Sequence, residues 1–234
     1  MAIKLEITPG FHDFVYKINH KIPFTFARYG DGEWACILGM RGENCDGVKY
    51  TEQMQDLLRA TLFEPRDYYY GMLKIALQEH SSSIEAYLVV NEIDIPWIEG
   101  TGFVKASRHG NLFPVVEALR KRKIIYVGPT YMRAIEGSLF KFREYIDVDP
   151  VNALKYLYIY ESQLRDVANK GDLIGISMGP AAKVFIWWLH ELYGKTHTII
   201  DFGSLWDGFL LGHESRKYMR EGPWNTTKIK NLNP

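Results

Sequence analysis

The sequence predicts an α/β fold, a Rossmann-like sandwich with a largely parallel sheet flanked by helices, in a single domain. Three observations predict it. Short β-branched and aromatic runs alternate with stretches of helical period along the chain. The clearest unit runs strand, glycine turn, helix, strand: Asp172–Ser177, Met178-Gly-Pro180, Ala181–Leu192 and Thr196–Asp201. Helices between strands act as crossovers, and crossovers make neighbouring strands parallel. Finally, two of the strands end in glycine and acidic residues, as strands do where an open sheet meets its ligand.

Taken in order, residues 9–20 carry Phe11, Phe14, Val15 and Ile18 at helical spacing after Pro9-Gly10. Lys21–Ala27 reads as a strand, Arg28–Glu33 as the turn that ends it, and Trp34 as the start of a short helix through Leu38. Gly39–Val48 is a loop rich in glycine and charge. Thr51 suits an N-cap for a helix Glu52–Phe63, which Pro65 ends. Asp67–Leu73 reads as a buried strand and 83–92 as helical, whereas Pro96–Asn111 is less regular. Leu112–Arg120 is an amphipathic helix, Lys123–Gly128 a strand, Tyr145–Val148 a further short strand, and 151–169 the longest helical pattern. Gly194 stops the helix of the clear unit, and Pro180 suits its first turn. The domain is expected to span 1–220, with 221–234 a C-terminal surface arm that has lost periodicity.

Composition narrows the function classes. At 234 residues, 47% hydrophobic and 24% charged, the chain can bury a substantial core. Its formal net charge of +0 lacks the basic excess of a general nucleic-acid-binding surface. Cys36 and Cys45 make neither a disulfide framework nor a complete zinc set and suit a reducing compartment. No signal-peptide apolar region and no apolar run of transmembrane length is visible, so the expected location is cytoplasmic.

The chemistry concentrates in three places. Arg28-Tyr-Gly-Asp-Gly-Glu33 closes an apolar strand with two carboxylates about one glycine. Asp31 and Glu33 can converge on a hard cation, Mn2+ or Mg2+, that takes its other oxygens from water and a substrate diphosphate. The same Asp-Gly-Glu also suits a solvated turn. Beside it, Arg28 offers a planar fork for phosphate, Tyr29 a ring to stack on a base or a hydroxyl for a sugar, and Gly30 a close backbone approach. The second place is Ser177-Met-Gly-Pro-Ala-Ala-Lys183, a glycine turn at a helix start. Ser177, Gly179 and the helix N–H groups suit a phosphate, with Lys183 adding charge; a plain βα turn with a surface lysine fits equally. Third, Asp201-Phe-Gly-Ser-Leu-Trp-Asp207 ends the next strand. Asp201 or Asp207 could orient a sugar hydroxyl or serve as a base, and either could cap the following turn.

Arg28-Tyr-Gly-Asp-Gly-Glu33, then Gly179-Pro-Ala-Ala-Lys183, then Asp201-Phe-Gly203 resemble, in this order, the motifs of the GT-D type glycosyltransferases, a family first described as a domain of unknown function. The resemblance spans residues 20 to 210. It implies a Rossmann-like fold, a nucleotide-sugar donor, typically a UDP-sugar, and manganese or magnesium held with help from Asp31 and Glu33. In the family the D-x-G region often continues into a histidine and a nearby acid. Here Ser204, Leu205 and Trp206 precede Asp207, so that histidine is missing and the acid displaced.

The sequence thus points to a metal-dependent glycosyltransferase, with Arg28, Gly179 and Lys183 facing the diphosphate and Asp201 near the donor sugar. The acceptor could be a glycan, a glycoprotein, a lipid-linked sugar or a modified base. A rival lies in Gly175-Ile-Ser-Met-Gly179, which fits the G-x-S-x-G elbow of a serine hydrolase, with Ser177 as nucleophile and Asp201, Asp207 and His213 following. A nucleotide-sugar-binding module without turnover is the third reading.

Overall fold

The computed structural model describes residues 3–44 and 47–212. Cys45, His213 and the expected arm 221–234 lie outside the described residues.

The chain opens with α1 (Phe11–Asn19), whose first turn is held by the Asp13 carboxylate accepting the Gly10 N–H at 2.7 Å. It turns Phe14, Val15 and Ile18 inward. β1 (Phe24–Tyr29) is buried along its whole length, as a central strand covered on both faces must be. α2 (Asp31–Ile37) follows directly. α3 (Glu52–Phe63) begins at the expected cap, where Thr51 Oγ1 accepts the Met54 N–H at 3.2 Å. Next come β2 (Tyr69–Met72), α4 (Lys74–Val90, bent at His80), β3 (Trp97–Glu99), α5 (Gly102–Arg108) and α6 (Phe113–Arg120). The second half holds β4 (Ile124–Gly128), β5 (Glu144–Asp147), α7 (Leu157–Val167), β6 (Leu173–Ile176), α8 (Ala181–Tyr193), β7 (Thr198–Asp201) and the short α9 (Asp207–Leu210).

One seven-stranded sheet runs through these elements in the order β3-β2-β1-β7-β6-β4-β5, and every neighbouring pair is parallel. Helices cover both faces, each over its own apolar core. One core takes Trp34 of α2, Leu58 of α3, Ile84 of α4, Leu164 of α7 and Phe185 of α8. The other takes Phe14 of α1, Phe103 of α5 and Val116 of α6, with Leu205 and Trp206 after β7. β1 and β7 are hydrogen-bonded neighbours, yet α2 leaves β1 for one face and the segment after β7 leaves for the other. Chain departing to opposite faces opens a crevice at the strands' carboxyl ends, the switch point where open α/β sheets place ligands.

Four expectations change. β1 extends through Arg28 and Tyr29, and α2 starts at Asp31 instead of Trp34, because the Trp34 N–H already bonds the Gly30 carbonyl at 3.1 Å. The irregular 96–111 stretch contains an edge strand and a helix. The helix expected over 83–92 begins at Lys74. The 151–169 pattern opens with a 3-10 turn at Ala153–Tyr156, so α7 is shorter than α4. Among the described residues, no helix is long and apolar enough to cross a membrane.

Candidate functional site

Strand parity decides which side chains reach the crevice. Successive residues of a strand face opposite sides. Arg28 therefore shares a face with Phe26, towards the second core, while Tyr29 turns with Ala27 into the first. The last residue of β7, Asp201, lies beside Arg28: its Oδ2 accepts the Arg28 N–H at 3.1 Å, and its Oδ1 stands 3.9 Å from the guanidinium. α8 brings Lys183 to the same carboxylate. The Lys183 ammonium is 3.0 Å from Asp201 Oδ2 and 2.8 Å from Glu33 Oε1. The other oxygen of Glu33 accepts the Gly30 N–H at 2.8 Å. Arg28, Asp201, Lys183, Glu33 and Gly30 thus form one connected series that ties β1, β7, α8 and α2 together at the switch point.

This series is buried. The side chains of Lys183 and Asp201 are 5% and 0% exposed. Burial alone would lower the lysine's pKa, but Asp201 and then Glu33 overcome it and hold the ammonium above its ordinary value. Lys183 is therefore buried in an internal clamp and is not the surface lysine of a plain βα turn. Arg28 lies against Gly203, whose φ is +49°. A Cβ on that glycine would sit 2.1 Å from the guanidinium, so any other residue there would strain the backbone and push the arginine aside. Arg28 Nε and Asp201 Oδ1 are buried without hydrogen-bond partners among the described residues.

Asp31 stands apart from the clamp. It is the first residue of α2 and is exposed at the crevice rim. Desolvation by the surrounding protein, then repulsion from Glu33, raises its carboxyl above the ordinary carboxylate range, and Glu79 adds to this. With Arg28 and Lys183 as cations against Asp31, Glu33 and Asp201, the crevice carries a carboxylate excess. Among the described residues no group of three or more His, Cys, Asp or Glu could hold a metal. Two carboxylates, one of them already engaged, fit a cation that takes most of its ligands from substrate and water. They do not fit a resident, fully protein-ligated metal.

The remaining expected site residues have different surroundings. Tyr29 is fully buried, its hydroxyl 2.8 Å from Thr61 Oγ1 and its ring stacked on Tyr70, so it is a core residue and presents no face to a base. Gly30 spends its N–H on Glu33. The Ser177 hydroxyl is buried, accepts from Tyr126 at 2.7 Å and donates to the Gly203 carbonyl at 2.7 Å. That chain of bonds ties β4, β6 and the turn after β7, and it leaves no exposed nucleophile at the elbow. Asp207 is also fully buried, with Tyr131 donating to its Oδ1 at 2.9 Å. Gly179 does lie in the crevice. It adopts a φ of +57°, and a Cβ there would meet Asn44 Nδ2 at 3.2 Å. Asn44, in the glycine-rich loop after α2, was not visible as a site residue, because nothing in its spacing ties it to Gly179. Cavities of about 310 and 510 Å³ open beside β5 and β3, at the outer edges of the sheet, and no crevice residue lines them.

No family model matches the chain. No curated protein matches it significantly. Solved structures do. One is described as a new glycosyltransferase (DUF1792) from Streptococcus sanguinis. It is 17% identical with a TM-score of 0.68, over 89% of this chain and 86% of that one. A second is described as domain of unknown function 1792 with a distinct glycosyltransferase fold. It is 18% identical with a TM-score of 0.61, over 85% of this chain and 79% of that one. A selenomethionine form of that domain gives the same values. The chain therefore has the fold of the DUF1792 glycosyltransferase structures.

Proposed function

We propose that the chain is a glycosyltransferase that takes a nucleotide-sugar donor, in the first instance a UDP-sugar, together with Mn2+ or Mg2+ at the β1/β7 crevice. The observation that carries the reading is the excess of carboxylate over cation at a sheet switch point, with Asp31 crowded by like charge at its rim. Such a site accepts a diphosphate only as its metal complex. The fold shared with structures described as glycosyltransferases supports the same reading.

Asp31 would hold the cation, with Glu33 contributing from the oxygen it shares with Lys183. When bound, the ion would offset the charge that develops on the leaving diphosphate. Arg28, whose guanidinium stands 3.9 Å from Asp201 Oδ1, would donate to the same phosphates. Lys183 and Asp201 act one step back: they fix Glu33 and Arg28 in position so that little reorganisation is needed when charge develops. Asp207, held by Tyr131, anchors the segment after β7. The acceptor is a hydroxyl of a glycan, glycoprotein, lipid-linked sugar or modified base.

The buried, doubly bonded Ser177 offers the hydrolase reading no support. A binding module without turnover is separated by turnover itself. The purified chain incubated with UDP-sugars and Mn2+ should release UDP slowly even to water, and Asp31→Ala should abolish release. Nucleotide-sugar binding without any release, across acceptors, would leave the binding module as the better reading.

A further inference from the structure

The strands' amino ends form the sheet edge opposite the crevice, and the charge of that edge is one-sided. Four adjacent strands, β1, β7, β6 and β4, are each entered through a short turn, at residues 20–23, 194–197, 168–172 and 121–123. These turns carry exposed lysines: Lys21 before β1, Lys195 before β7, Lys170 before β6, and Lys121 and Lys123 before β4. Their one carboxylate, Asp172, is buried and engaged by Arg143. The chain as a whole is neutral, so the excess belongs to this edge.

The turns are bonded into one surface. Buried Arg122 donates to the Ile18 carbonyl at 2.9 Å and to the Gly171 carbonyl at 3.0 Å. The Gly171 N–H bonds the Thr196 carbonyl at 3.1 Å, and the Leu173 N–H bonds the Lys123 carbonyl at 2.9 Å. Lys121 reaches Asn19 Oδ1 at 3.4 Å. Arg122 thus spends its charge inside and holds the lysines around it in place. Helix dipoles do not account for them, because that field falls off within the last turn. Lys21, Lys123, Lys170 and Lys195 all lie beyond the ends of the helices that precede them. Two apolar side chains are exposed beside Lys21: Ile22, and Tyr16 with its ring stacked on His20. The charges are ammonium points on flexible stems, not the planar forks that fix one carboxylate or phosphate. With apolar side chains beside them they suit a fluid anionic surface better than an acidic protein.

We propose that this edge docks the protein on an anionic lipid bilayer, with the β1/β7 crevice turned away from it. β1 has 6 residues, so the crevice stands about 20 Å from the docked edge and stays open to solution. Flotation with phosphatidylcholine vesicles, with and without phosphatidylglycerol, tests this. The protein should float with the anionic vesicles at low salt, stay behind with the neutral ones, and be released by high salt. Each lysine lost should weaken partitioning about five-fold. Lys121→Gln, Lys123→Gln and Lys170→Gln together should therefore lose about a hundred-fold, with the melting temperature unchanged. If that variant does not fold, Lys21→Gln with Lys195→Gln carries the test, at a loss of about twenty-five-fold. Asp31→Ala, at the opposite edge, should float as wild type does, so a failure of the donor reading leaves this test intact. No flotation with anionic vesicles, equal flotation with neutral ones, or lysine variants within about two-fold of wild type overturns the proposal. Retention on an acidic polypeptide without flotation also overturns it, and makes the edge a protein-docking surface.

Discussion

Removing the ammonium at position 183 separates the clamp from the expected phosphate contact. Lys183→Met keeps most of the buried volume but strands Asp201 and Glu33, which Lys183 approaches at 3.0 and 2.8 Å. Breaking a buried ion pair by deleting one partner costs about 3–5 kcal/mol, mostly the cost of the charge left behind. Here two carboxylates are left. Asp201 keeps the Arg28 N–H and Glu33 keeps the Gly30 N–H, so part of the loss is offset and that range stands. For a chain of this size the melting temperature should fall on the order of 10 °C at neutral pH. Adding Glu33→Gln to Lys183→Met should restore part of the loss, because one stranded charge is gone. Thermal unfolding followed by circular dichroism reads both. A Lys183→Met variant with wild-type stability at pH 7 that has lost only nucleotide binding would refute the clamp and return Lys183 to the phosphate.

Asp31 carries the opposite sign. Its raised pKa means the folded state holds the proton more tightly than the unfolded one. Its contribution to stability therefore falls as pH rises from the ordinary carboxylate value through the raised one. Asp31→Asn should leave the ligand-free protein unchanged or about 1–2 °C more stable above that interval, while the metal-dependent response to UDP disappears. Gly203→Ala would place a methyl 2.1 Å from the Arg28 guanidinium at a φ of +49°. It should cost about 1–3 kcal/mol in urea unfolding and weaken UDP binding by displacing Arg28; unchanged binding would show that Arg28 makes no phosphate contact. Tyr29→Phe removes the bond to Thr61 and should cost about 1 kcal/mol, with UDP affinity untouched. A loss of affinity without loss of stability would put Tyr29 back in the site.

The layered α/β plan was legible because its signals are local. Thr51 caps α3 where a hydroxyl before a periodic run should, and the unit from Asp172 to Asp201 reads as strand, turn, helix and strand. β3 was hidden: three residues after a proline are too short to show an alternation. The bend at His80 broke the period of α4 in two. At the site, Asp31, Glu33 and Arg28 were visible as a cluster, and Asp201 as a strand end. What one sequence could not show was which polar groups satisfy one another. Placing the strand's end at Ala27 gave Arg28 and Tyr29 equal access, whereas two further residues of strand send them to opposite faces. Lys183 read equally as a charge for a phosphate and as a surface lysine, because the carboxylates that bury it come from the first turn of α2 and the end of β7. Asn44 reaches the turn before α8 from the loop after α2, a contact that nothing in its spacing announces.

The central claim is that the crevice takes a nucleotide diphosphate only together with a divalent cation. Thermal unfolding with UDP tests it, in Mn2+ and again in excess chelator. A ligand at about 100 times its dissociation constant stabilises by about 2.7 kcal/mol, which here is a rise of several degrees. The account predicts that rise for wild type in Mn2+, and neither in chelator nor for Asp31→Ala in Mn2+. A rise that survives chelation, or no rise with UDP or any nucleotide sugar in the presence of Mn2+, would contradict it.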